Sequence, residues 1–375
     1  MSQGSSSAKI TKFTSDALDV VTVARACCEK YYITAHPTNP AEPFSMFDEL
    51  AKFVRDKNAV IVQQDVFGCC ELYTEGLKAI TDSCGRITWP VTWIQGDCGN
   101  PGALTGTQAY AISGAAVQAL TLHGKIIGAT FEDEYATYCL LADMKPTDTT
   151  LSKNEQARKV LEIMEEAIGL VDMDFSNVVR TWIYVDSILT WYNDFNTVRN
   201  KFFQERNVFG GIVPASTGIG AGNPAGTALI ADLFAIKPKA NNVKVTAVPS
   251  PLQCPALDYK SSFSRAVEVA LPDHKRLYVS GTASIEPGGK TAHVGDIEKQ
   301  IALTMEVVKA ILESRQMSWS DVSRAIGYFK DVKNVPLFAK YCKENNIPAM
   351  PTAIAHADMC RDDLLYEVEL EAVTV

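Results

Sequence analysis

The segment YEVELEAV, residues 366–373, alternates without a break. Tyr366, Val368, Leu370 and Ala372 are apolar or aromatic, and Glu367, Glu369 and Glu371 stand between them. A period of two predicts a β-strand with one buried face. The other face carries three carboxylates roughly 6.8 Å apart, which repel one another. Two readings are open. The acids decorate a solvent-facing strand, where charge discourages unwanted pairing, or they serve a site.

The same pattern analysis organises the region upstream. SFSRAVEVAL and KRLYVSGTAS read as strands. In GDIEKQIALTMEVVKAILESRQ, the residues Ile297, Ile301, Met305, Val308 and Leu312 recur at helical spacing. A strand (VSRAIGYFKD), a short helix (NVPLFAKYCKEN) and a strand (AMPTAIAHADM) follow before the closing strand, giving the order ββαβαββ. The middle of the chain repeats it. WPVTWIQGD, TQAYAISG and a long, bent KIIGATFEDEYATYCLLAD are predicted strands. They precede the amphipathic helix KNEQARKVLEIMEEAIGLV, the strand NVVRTWIYVD, the helix LTWYNDFNTVRNKFFQE, and the strands PASTGIGAG and GTALIADLFAI. A weaker version opens the chain, with helices FSMFDELAKFVRDK and ELYTEGLKAITDS around AVIVQQDVF. The expected division is 8–88, 89–240 and 255–375, with the Pro-rich stretch after residue 240 as a linker.

Composition narrows the function classes. The chain has 375 residues, is 47% hydrophobic and carries a net charge of −9. That charge argues against a nucleic-acid or anionic-membrane surface. No apolar run is long enough to span a bilayer, and MSQGSSSAKITKF lacks the apolar core of a secretory signal. Ten cysteines without CxxC spacing and five scattered histidines suggest a reduced, cytoplasmic protein without structural zinc. No metal-ligand motif or phosphate loop is present: GIGAGNPAG lacks the Lys-Ser/Thr that would follow, and it joins strands. No cofactor is therefore expected.

The order ββαβαββ, together with SFSRAV, VSGTAS, GDIEKQ and YEVELEAV, resembles the YjgF/RidA family. Its members are small homotrimers with clefts between subunits. The resemblance implies an α+β fold of three tandem RidA/YjgF-like (chorismate mutase-like) units forming an intramolecular pseudo-trimer, hence a monomer. RidA-type imine deaminases carry an arginine in PAR[ST], and here PAST and PAMPT have none. VVRTWIYV, YNDFNTVR, PASTGIG and AHADMCRDDLLYEVELEA are more similar to the chorismatases, which remove pyruvate from the enolpyruvyl ether of chorismate to give hydroxybenzoate-type products of secondary metabolism. Ile183 stands where those proteins usually have Asn.

This resemblance implies roles for individual residues. Glu367 corresponds to the catalytic glutamate. A carboxyl that protonates carbon near neutral pH needs a raised pKa, and a neighbouring Glu369 plus burial would supply it. Arg180 and Arg199 are candidate clamps for substrate carboxylates, each also readable as a structural ion pair. Arg361 is a third candidate, or a local partner of Asp362 or Asp363. Tyr184 and Tyr192 would donate hydroxyls. Cys360 and Ala283 would shape the pocket, and Thr217 and Gly218 of PASTGIG would line it. Glu371 is expected to face solvent. The site is expected between the middle and last units. Alternatives are a RidA-like imine or enamine deaminase and a non-catalytic metabolite-binding protein.

Overall fold

The structure is a computed structural model that describes residues 8–96, 103–259 and 261–375. Its eighteen described strands form three six-stranded sheets, each belonging to one consecutive third of the chain. The first unit runs β1 (Lys9–Thr14), β2 (Leu18–Ala24), β3 (Glu29–Ala35), α1 (Ser45–Asp56), β4 (Val60–Gly68), α2 (Tyr73–Cys84), β5 (Val91–Gln95) and β6 (Leu104–Ser113). The second runs β7 (Val117–Leu122), β8 (Lys125–Glu132), β9 (Ala136–Met144), α3 (Lys153–Gly169), β10 (Val178–Val185), α4 (Tyr192–Glu205), β11 (Ala215–Gly220) and β12 (Leu229–Pro238). The third runs β13 (Lys244–Val248), β14 (Ala266–Ala270), β15 (Lys275–Ala283), α5 (Ile297–Ser314), β16 (Val322–Phe329), α6 (Val335–Glu344), β17 (Thr352–His356) and β18 (Tyr366–Thr374).

All three sheets share one strand order: first, second, third, sixth, fourth, fifth. The fold is α+β and threefold repeated, as the sequence pattern implies, with each unit one strand longer than ββαβαββ. Three boundaries differ from the sequence reading. Val91–Gln95 and Leu104–Ser113 pair with β4 and β3, so they complete the first sheet and do not open the second. The bent strand is a hairpin, β8 to β9, turning at residues 133–135. The expected linker contains β13, an edge strand antiparallel to β14. The first and third differences share a cause: pairing partners lie far apart in sequence, and apolar alternation does not say which sheet a strand joins.

Helix ends are set locally. Ser152 and Glu155 form a reciprocal capping box on α3, and the Asp296 side chain accepts the Lys299 N–H at the start of α5. The apolar stripes of the helices pack on one face of their own sheet. Ile301, Met305, Val308 and Leu312 of α5 meet Tyr366, Val368, Leu370 and Ala372 of β18. The opposite faces of all three sheets turn toward one another around a shared core holding Tyr32, Tyr110, Trp182, Phe234 and Tyr278. Helices therefore lie outside and sheets inside.

This arrangement resolves the opening puzzle. β18 is a central strand, hydrogen-bonded to β15 and β16, and its acidic face points to the junction of the units. Glu367, Glu369 and Glu371 are 5%, 2% and 7% exposed. Glu371 is thus buried and does not face solvent. It sits 3.6 Å from both Arg276 and Arg324, which offset the cost of burying its charge.

Candidate active site

A narrow cleft lies between the second and third units. From the second unit come Tyr192 and Arg199 on α4 and Ser216 and Gly218 on β11. The third contributes Arg265, Gly281, Ala283, Cys360, Arg361 and Glu367. The connecting segment adds Tyr259, Ser261 and Phe263. A wider mouth of about 450 Å³, lined by Tyr192, Tyr259, Cys360, Arg361 and the polar face of α4, continues outward.

Glu367 reaches the cleft because β18 alternates and because Gly281 has no side chain. A methyl group at Gly281 would overlap the Glu367 carboxyl. Burial, and secondarily the nearby Glu369, push Glu367 up to about 8, against the pull of Arg180 and Arg265. Glu369 has the opposite surroundings: Arg180 Nη2 and the Trp182 indole N–H each donate to it at 2.7 Å. Two carboxyls on one strand face thus differ in their surroundings: Glu369 is paired with Arg180, and Glu367 has no ion-pair partner among the described residues.

Three cleft arginines have no carboxylate partner among the described residues. Arg199, 2% exposed, donates from Nη2 to Asn196 at 2.7 Å, and its Nε has no partner. Burial lowers its pKa, with Tyr192 opposing the shift. Arg265 donates twice to the Cys254 carbonyl, and Arg361 donates to the Gly289 carbonyl at 2.9 Å. Arg361 therefore does not pair with Asp362 or Asp363. Carbonyl acceptors leave the positive charges uncompensated, so the cleft is suited to an anion. Burial pushes the Cys360 thiol up to about 12, which keeps it neutral.

The cleft gathers Glu367, Arg199, Tyr192, Gly218, Ala283, Cys360 and Arg361 from the residues the sequence singled out. Arg180, Tyr184 and Thr217 lie behind it. Arg180 is held by Glu369 and by Thr217 Oγ1, because a buried guanidinium takes the nearest carboxylate. Tyr184 is fully buried on β10 with its hydroxyl unpartnered. Thr217 Oγ1 also accepts the Gly281 N–H at 2.9 Å, so it fixes the strand that carries Gly281. Ser216, Tyr259, Ser261, Phe263, Arg265 and Gly281 were missed. Arg265 had a signal, a lone cation inside the apolar run FSRAVEVAL. Tyr259 and Phe263 had none, because they sit in a stretch without periodicity.

The repeat explains why one cleft differs from its relatives. Counted from the bulge in each unit, the position of Glu367 falls on Gly106 in β6 and Ile230 in β12. Where Gly218 leaves room, the first unit has Trp93, which fills the corresponding space against Gly76.

Residues 255–374 match the family described as Endoribonuclease L-PSP. The chain is 26% identical over 275 residues to a 3-hydroxybenzoate synthase from Streptomyces hygroscopicus, covering 66% of this chain and 77% of that one. It is 26% identical over 220 residues to a chorismatase from Streptomyces rapamycinicus, covering 52% of this chain and 64% of that relative, just under two thirds of its length. A crystal structure of a chorismatase superposes with a TM-score of 0.62 at 18% identity, over 83% of this chain and 92% of that one. No described helix is long and apolar enough to cross a membrane. The carboxy-terminal third of the chain is thus similar to the endoribonuclease L-PSP family, and the chain as a whole has the fold seen in the chorismatase crystal structure.

Proposed function

We propose that the cleft between the second and third units removes pyruvate from the enolpyruvyl ether of chorismate or a closely related dicarboxylate. The observation that carries this reading is the Glu367 carboxyl, buried and held up to about 8, in a cleft whose arginines lack carboxylate partners. Protonation of a vinyl ether at carbon needs an acid that keeps its proton at neutral pH. Glu367 transfers its proton to the methylene carbon, and the positive charge that develops is shared by the ether oxygen. Water adds to the neighbouring carbon, the one that bears the ether oxygen and the positive charge, and returns a proton to Glu367. The hemiketal then collapses: its hydroxyl loses a proton to become the keto group of pyruvate, and the bond from that carbon to the ether oxygen breaks, the oxygen leaving with the ring and taking up the proton as a ring alcohol.

Arg199, Arg265 and Arg361 are positioned to hold the two substrate carboxylates, and Tyr192, Cys360 and Ala283 to bound the ring. Imine deamination is less well supported, because Ser216 and Met350 occupy the places where that chemistry uses an arginine. The test is incubation with chorismate, following pyruvate and ring product together, for the parent protein and Glu367→Gln. Pyruvate release by the parent and its loss in the variant are the expected results. A parent protein inert toward chorismate would overturn the substrate assignment.

A further inference from the structure

Two acids where the units meet have no part in the proposed reaction. Asp65 stands on β4 of the first unit and Asp232 on β12 of the second. They are 2% and 0% exposed, and their carboxyls are hydrogen-bonded to one another. The Gln63 amide reaches both at 3.3 Å, and Thr92 Oγ1 and the Asp143 N–H donate to Asp232 Oδ1 at 2.7 and 2.9 Å. From the third unit, Arg324 reaches Asp65 at 3.3 Å. Glu369 of β18 also acts on Asp65, and Tyr184 of β10 faces both acids. Asp143 of β9 pairs its own carboxylate with Lys145.

Two arguments require a proton here. First, an ionised carboxylate only accepts hydrogen bonds, so two of them in contact have no hydrogen to place between them. Second, the surrounding charges leave room for one negative charge and not two. Arg180, Arg276 and Arg324 face Glu369 and Glu371. A single charge on the Asp65–Asp232 pair makes this buried group neutral, and a second would stand uncompensated away from water. Burial accordingly raises both acids, and for Asp232 the neighbouring Asp65 adds to it.

We infer that Asp65 and Asp232 share one proton and form a pH-sensitive lock between the units. Protonated once, the pair ties the first unit to the second, and Arg324 ties it to the third. When the proton leaves, two carboxylates repel across the seam. An unfolded aspartate loses its proton near roughly 3.9. The folded pair keeps one beyond that point. Its contribution to stability is therefore full below this value and is lost as pH rises through the pair's own titration. The inference is independent of the chemistry proposed for the outer cleft.

The test uses the full chain carrying Glu367→Gln, which removes the titration of the cleft acid. Its infrared spectrum at pH 7 is expected to show a protonated-carboxyl band that disappears when Asp232→Asn is added. The Asn amide can donate to Asp65 at every pH. Relative to that double variant, the unfolding equilibrium constant of the Glu367→Gln protein should rise about tenfold per pH unit from pH 5 until the pair titrates. If the double variant does not fold, Asp65→Asn takes the place of Asp232→Asn in both measurements. Absence of the band at pH 7 would overturn the inference, because both acids would then be ionised. A band that survives the substitution, or the same pH dependence with and without the pair, would overturn it equally.

Discussion

The Arg180 guanidinium donates to the Glu369 carboxylate at 2.7 Å across the seam between the second and third units. This pair occupies the cation nearest to the acidic face of β18 and leaves Glu367, two residues away, without an ion-pair partner of its own. Removing the guanidinium would strand Glu369 in a buried position. Arg180→Met is therefore expected to destabilise the fold by about 3–5 kcal/mol, read as a lower denaturation midpoint. Stability close to the parent's would show that the pair does not hold the seam.

Glu367 makes a pH signature for stability. The folded carboxyl keeps its proton up to about 8, whereas an unfolded glutamate loses it near roughly 4.3. The folded state thus binds more protons between these values, and stability falls as pH rises through that window, then levels off above it. Glu367→Gln removes this contribution. The variant should overtake the parent in stability by a few kcal/mol at pH 8, because each pH step across the window costs the parent about 1.4 kcal/mol. Melting curves of both proteins from pH 5 to 9 provide the comparison, and parallel curves would contradict the burial argument.

The same group sets a kinetic limb. With Glu367 as the acid, kcat/KM for pyruvate release should be level below about pH 8 and fall tenfold per pH unit above it. Glu367→Gln should lose about 10²–10⁴-fold in kcat. A falling limb unchanged by mutations at Glu369 or Arg180, which tune the carboxyl, would point to another titrating group.

Gly281 provides a steric test. A Cβ at this position would overlap the Glu367 carboxyl, so Gly281→Ala must rotate the acid away from its place. The expected outcome is a loss of turnover of about 10²-fold, as misplacement of a reacting group produces, with the far-ultraviolet circular dichroism of the parent retained. Full activity would show that the carboxyl works from a different rotamer.

Arg199 offers its unpartnered Nε to the cleft. Arg199→Met should raise KM for chorismate by about 10–100-fold, the loss of one charge-assisted contact of about 1.5–3 kcal/mol. Arg265→Met should do the same while also loosening the segment that its guanidinium ties through the Cys254 carbonyl. Protease cleavage within that segment separates the two effects.

Much of this protein is decided by local pattern. Periodicity alone places α5, the strand of Glu367 and the threefold repetition, because side chains that must face one core recur at the period of their element. Motif likeness adds most of the cleft: Glu367, Arg199, Tyr192, Gly218, Ala283, Cys360 and Arg361. Tertiary structure decides the rest. In sequence Arg180 is a cation inside an apolar strand and Arg199 a cation on a helix face one turn after Phe195, and each can be read either as an ion pair or as a clamp. One meets Glu369 of another unit and the other opens onto a cleft, and only long-range packing distinguishes them. Glu371 has the alternation of a solvent-facing residue, yet the far side of its sheet is the meeting place of three units. Period-two patterning specifies that a strand has two faces. Whether the polar face meets water or other buried charges depends on what the rest of the chain places against it.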